Sequence, residues 1–211
     1  TQRRRQRQMC IRDSYNARQY SELILFGEKV ALQFPEKVII KNIIGAGYTA
    51  LNQFSNAINH YKAALKLEPK NAEVLNNLGL TFKAIGDFKK ANECFENSIS
   101  IKPNFAEAFN NMALSLKEER KFEKAIISLE KAIALKNNYA EAYYNLGNVY
   151  NLLGELEKSI NMFTRAIDIK PDYFDAYNNL GAVYNLKKDY DKAYQNCLLY
   201  TSDAADDVEC V

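Results

Sequence analysis

At 211 residues with 47% apolar side chains, the chain is long enough for one domain with a real core or for a short array of repeats. No apolar run approaches the roughly 20 residues of a membrane-spanning helix, and the start lacks the charged, apolar, small order of a secretory signal. The formal charge of +2 is unremarkable, although residues 1–14 hold +4 and residues 197–211 hold −4.

Few Gly and Pro (8 and 4) favour helix. In chain order, residues 1–14 are an Arg-rich start, "TQRRRQRQMCIRDS". The stretch "YSELILFGEKVALQFPEK" (20–37) has a helical apolar pattern closed by Pro35. From Val38 a period of 34 residues sets in, with repeats at 38–71, 72–105, 106–139 and 140–173 and a fifth starting at Phe174. Each repeat holds two apolar patterns of helical period, so helices are predicted at 38–51, 54–67, 72–85, 88–101, 106–119, 122–135, 140–153, 156–169 and 174–187.

The same chemistry recurs at the same place in each repeat. The eighth position is small: Gly45, Gly79, Ala113, Gly147, Gly181. So is the twentieth: Ala57, Ala91, Ala125, Ser159, Ala193. The twenty-fourth is bulky: Tyr61, Phe95, Leu129, Phe163. Small side chains let helices A and B of one repeat approach closely, and the large one fills the space beside them. Pro69, Pro103 and Pro171 end helix B, because Pro lacks an N–H and biases the preceding residue out of the helical region. One helix pair cannot bury its apolar face alone, so neighbours must stack. The expected fold is all-α, a right-handed α-α superhelix of antiparallel helix pairs.

These residues resemble the tetratricopeptide repeat (TPR) family over 38–195. Its Leu-Gly pair stands here as Leu78-Gly79, Leu146-Gly147 and Leu180-Gly181, with Met112-Ala113 and Ile44-Gly45 as softer matches. On that pattern, residues 15–37 read as the remnant of a further repeat, its helix B.

The array is expected to run to residue 196. In the fifth repeat the bulky position falls on Cys197 and the next small one on Tyr200, so the pattern stops there. Arg4–Ser14 and Cys197–Asp206 can be encoded by opposite strands of one DNA segment that resembles a sequencing-library adapter. Segments 1–14 and 197–211 are therefore expected to be adapter-derived. Of the four cysteines, Cys10, Cys197 and Cys210 lie in those ends, which leaves Cys94. With His60 the sole histidine and no Gly-rich phosphate loop, no metal, cofactor or catalytic residue is expected.

What the array offers is a face. Helix A lines the inside of a solenoid, and its sixth position reads Ile43, Asn77, Asn111, Asn145, Asn179. An amide both donates and accepts, so a ladder of asparagines can pair with an extended peptide backbone whatever its sequence. One turn earlier stand Glu73, Glu107, Glu141 and Asp175. Two blander readings stay open: first-turn acids favour the helix dipole, and the asparagines could bond a neighbouring helix. The ladder is similar to the TPR arm of the O-linked N-acetylglucosamine transferases. That resemblance implies that Asn77, Asn111, Asn145 and Asn179 bind backbone and that the four acids contact side chains.

The expected function is therefore a non-enzymatic module that binds an extended peptide or partner protein in its concave groove, with no nucleic-acid or membrane partner. The alternative is the substrate-binding arm of a glycosyltransferase or sulfotransferase whose catalytic domain lies downstream of Asn196. Uncapped ends are expected to self-associate, and the absence of signals points to the cytoplasm.

Overall fold

The computed structural model describes residues 2–202, with side chains described for 18–196, and the described residues form eleven helices and no strand. These are α1 (Gln2–Gln33), α2 (Val38–Ala50), α3 (Phe54–Leu67), α4 (Ala72–Ala84), α5 (Phe88–Ile101), α6 (Ala106–Glu118), α7 (Phe122–Leu135), α8 (Ala140–Leu152), α9 (Leu156–Ile169), α10 (Phe174–Leu186) and α11 (Tyr190–Ser202). The chain divides into two compact units, α1–α5 up to Pro103 and α6–α11 from Asn104. The adapter-derived reading of 1–14 and 197–211, with Cys10, Cys197, Tyr200 and Cys210, falls on side chains outside the described set.

Helices α3, α5, α7 and α9 start and stop at the predicted residues. Each A helix ends one residue before its predicted end. The reason is the cap. Asn52, Gly86, Arg120, Gly154 and Lys188, one per repeat, are left-handed, with φ between 57° and 80°. The following N–H reaches back to close the turn: Gln53 to the Tyr48 carbonyl, Asp87 to Phe82, Lys121 to Leu116, Glu155 to Tyr150 and Asp189 to Tyr184. That bond pattern is the Schellman motif. Gly86 and Gly154 adopt it without a Cβ penalty, whereas Arg120 and Lys188 do so against their own preference. Side-chain caps start a helix where the sequence allows. Asp87 Oδ1 accepts from the Lys90 N–H at 3.2 Å, and Asn71 caps α4 in the same way at 3.0 Å from the Val74 N–H.

Packing follows the small–large pattern. Ala57, Ala91 and Ala125 are fully buried, as is Ser159, whose hydroxyl donates to the Gly147 carbonyl at 2.9 Å. Tyr61, Phe95, Leu129 and Phe163 are buried to 1% exposure or less. A methyl group on Gly45 would stand 2.7 Å from the Tyr61 ring; the same distance separates a methyl on Gly79 from Phe95 and one on Gly147 from Phe163. The eighth position is thus glycine because an aromatic ring lies across it. Where the twenty-fourth residue is Leu129, the eighth is Ala113.

In the first unit α1 packs on α2 through Gly27, over which Ile44 lies, and through Gly47, over which Ile24 lies. Helix α1 ends at Gln33, two residues before the proline predicted to close it, since the residue preceding Pro is disfavoured in helix. In the second unit the core runs from Ala113 and Leu129 through Leu146 and Val149 and continues with Phe163, Leu180 and Val183.

Candidate functional site

The residue just before a ladder position, Asn42, Asn110 or Tyr144, meets the ladder asparagine of the following A helix, and this stagger decides its bonds. In the first unit Asn77 of α4 donates its Nδ2 to Asn42 Oδ1 of α2 at 3.0 Å, 35 residues back. In the second, Asn145 of α8 donates to Asn110 Oδ1 of α6 at 2.9 Å, again over 35 residues. Asn179 of α10 donates to two groups of α8, Tyr144 Oη at 3.1 Å and Asn148 Oδ1 at 2.8 Å. Asn111 lies half-buried on α6 at the matching position. The ladder therefore ties neighbouring A helices within each unit. It also leaves the Oδ1 atoms of Asn77, Asn145 and Asn179 without a protein donor among the described residues, so these amides keep an acceptor. In the first repeat Ile43 takes the ladder position and is 45% exposed.

The acids occupy the second residue of their helices and are all exposed. Two are paired with the lysine that closes helix B of the same repeat: Glu73 with Lys102 at 2.6 Å and Glu107 with Lys136 at 3.7 Å. The Lys102 bond and a backbone N–H hold the Glu73 carboxyl below the usual carboxylate range. Glu141 and Asp175 have no ion pair among the described residues. They stand instead beside tyrosines. Burial first, and then Glu107 and Glu141, push the Tyr139 hydroxyl up to about 12. Tyr173 is pushed further in the same direction by burial, then by Glu141, Tyr144 and Asp175.

Sequence reasoning missed these tyrosines. Tyr139 and Tyr173 end their repeats, as Phe105 does, so an aromatic recurring at the last position was the available signal. The Tyr144 and Tyr173 rings lie 4.9 Å apart. Lys136 Nζ sits 4.6 Å from the Tyr139 ring centre and Lys170 Nζ 4.9 Å from that of Tyr173. Because the folded state holds the Tyr139 proton more tightly than the unfolded chain, this contribution to stability is complete below about pH 10 and is lost as pH rises toward 12. Thermal melts across that range should show a falling Tm, with a smaller fall in Tyr139→Phe.

In the first unit a cavity of about 440 Å³ lies at the starts of α2 and α4, lined among others by Glu73 and Asn42. Of the other sequence candidates, Cys94 is half-buried, and burial followed by Glu93 pushes its thiol up to about 11. His60 Nε2 lies 3.0 Å from Glu28 Oε1, with its ring stacked on Tyr48. Among the described residues no group of three or more His, Cys, Asp or Glu could hold a metal ion, and no helix is long and apolar enough to cross a membrane.

Comparison with known proteins agrees with this geometry. The family profile described as TPR repeat matches residues 45–86, 116–154 and 147–188, and the one described as tetratricopeptide repeat matches 72–105. No curated protein sequence matches the chain. Among solved structures, MamA is 34% identical with a TM-score of 0.67, covering 74% of this chain and 92% of its own. MamA from Desulfovibrio magneticus RS-1 is 23% identical with a TM-score of 0.68, covering 77% of this chain and 92% of its own. A third, described as "YrrB: a TPR protein with an unusual peptide-binding site", is 21% identical with a TM-score of 0.62 over 82% of this chain and 90% of its own. The in-register helix pairs, the ring-over-glycine packing and these matches all say that the chain belongs to the tetratricopeptide repeat family and is a protein-interaction module.

Proposed function

We propose that, within each unit, the helix-A faces form a groove that binds an extended peptide or an unstructured segment of a partner protein. The observation that carries this reading is the row of amides whose Nδ2 is committed to a neighbouring helix while Oδ1 is not. Such a row presents acceptors at the repeat spacing, and an extended backbone brings N–H donors to meet them. Asn111 stands at the matching position of α6 in the second unit. Glu141 and Asp175, unpaired beside Tyr144 and Tyr173, would then contact side chains of the peptide, and Glu73 and Glu107 would do so in exchange with their lysines. The peptide-binding site named in the description of YrrB supports the same reading by analogy of fold. The glycosyltransferase or sulfotransferase arm is a narrower version, supported by the resemblance of the ladder alone.

The experiment is a titration of labelled, unstructured peptides against the wild-type chain and the Glu141→Gln/Asp175→Asn variant. Binding should be weak and broad in sequence, because each hydrogen bond contributes only about 0.5–1.5 kcal/mol net. The variant should lose affinity for lysine- and arginine-bearing peptides severalfold and change little for neutral ones. Equal loss for both would remove the acids from side-chain recognition.

A further inference from the structure

We infer that the cavity at the starts of α2 and α4 is a subsite for one lysine or arginine side chain of the bound peptide. The inference rests on the groove reading and adds to it the class of residue that the first unit selects. Three features of the cavity point the same way. Its floor is apolar: Val38 and Val74 are buried, at 7% and 1% exposure, and Ile39 lies 66% exposed at its edge. Its rim carries three acids, Glu36, Glu68 and Glu73, against one base, Lys37. Those carboxylates are incompletely neutralised. Lys102 is committed to Glu73 at 2.6 Å, and Lys37 reaches Glu36 only at 3.8 Å between exposed side chains. Glu68 accepts a bond from the neutral Asn71 amide at 2.8 Å and has no cationic partner among the described residues.

An apolar floor beneath an unneutralised carboxylate suits an amphipathic side chain. The methylene stem of lysine or arginine would cover Ile39 and the valines, and its charged head would meet Glu68 in the half-open mouth. A leucine would satisfy the floor and leave the carboxylate unmatched. An aspartate or glutamate would be repelled. At about 440 Å³ the cavity exceeds a single side chain, so the flanking backbone enters as well. There Asn42, whose Oδ1 already accepts from Asn77, keeps its Nδ2 hydrogens for a peptide carbonyl.

The test compares two labelled, unstructured peptides of about ten residues by fluorescence anisotropy. One carries a central lysine and the other carries norleucine there, which has a comparable apolar stem and no charge. Wild type should bind the lysine peptide about twofold to fivefold more tightly, as expected for partly exposed charges. The difference should shrink in Glu36→Gln/Glu68→Gln and vanish when Glu141→Gln/Asp175→Asn is added. In wild type it should vanish at about 0.5 M salt, where the screening length falls to a few ångströms. No change in Glu36→Gln/Glu68→Gln would refute the subsite. Both glutamates are exposed, and an unchanged circular dichroism spectrum would verify folding of the variant. If norleucine and lysine peptides bind wild type equally, and Asn145→Ala/Asn179→Ala weakens both, the groove reading stands and the subsite is refuted. If neither peptide binds wild type, or both bind and the asparagine variant binds them as before, the groove reading fails and the subsite falls with it.

Discussion

Replacing Gly147 by alanine should destabilise the fold by about 1–3 kcal/mol, and adding Phe163→Leu should restore much of the loss. Alanine is the better helix former by roughly 1 kcal/mol, so propensity alone predicts the opposite sign. Sterics decide it. The new Cβ would stand 2.7 Å from Phe163 Cε1 and 2.8 Å from Cδ1, and the ring is fully buried, with no free side to retreat to. The chain itself carries the compensated arrangement at Ala113 and Leu129, both 1% exposed. On that precedent the leucine makes room for the methyl. Phe163→Leu alone should be destabilising, as large-to-small core changes are. Denaturant unfolding of the four members of the cycle should show a favourable coupling of at least about 1 kcal/mol. Strict additivity would mean that glycine is required here for another reason.

Changing Asn111, Asn145 and Asn179 together to alanine should reduce peptide affinity at least about tenfold, while Asn145→Ala alone should weaken it only severalfold. The open acceptors of Asn145 and Asn179 are removed from the groove together with the Asn111 side chain in the first case, and one acceptor in the second. The ties between helices are lost as well: Asn145 to Asn110, and Asn179 to Tyr144 and Asn148. Melting temperature should therefore fall, by an amount that corresponds to about 0.5–1.5 kcal/mol per lost bond, but the far-ultraviolet spectrum should stay helical. Binding must be measured well below that lowered Tm. A triple variant that unfolds outright would show the amides to be struts between A helices and nothing more. One that folds and binds as before would move the site away from this face.

Much of the architecture was legible because one repeat constrains all the others. The spacing of small and bulky residues placed helices α2–α10 and predicted the burial of Gly79, Ala91, Ala113, Ala125, Gly147 and Ser159. The one-residue excess at each A helix arose because the C-cap residue, Leu51, Ile85, Glu119, Leu153 or Lys187, continues the apolar or helix-favouring pattern yet already stands outside the helix, even where Gly86 and Gly154 mark the turn. At Asn52, Arg120 and Lys188 the side chain gives weak notice of the turn. The site was read less completely. A period of 34 shows that Asn145 and Asn179 share a face, but not the stagger of one helix against the next. That stagger sets Asn145 on Asn110 and Asn179 on Tyr144. The lysine partners of Glu73 and Glu107 lie 29 residues downstream, at the far end of the same repeat. The tyrosine group at 139, 144 and 173 draws on the starts of two successive A helices, so its three members never adjoin in sequence.

In the proposed mode of binding the peptide lies along the A helices. The most direct measurement is a two-dimensional nitrogen–proton NMR titration with an unstructured, lysine-containing peptide, followed at the backbone and asparagine side-chain amides. The expected result is saturable shifts of the Asn77, Asn145 and Asn179 side-chain amides and of first-turn backbone amides in α4, α8 and α10, with α3, α7 and α9 unmoved. Shifts confined to α3, α7 and α9, with the ladder amides unchanged, would contradict the account.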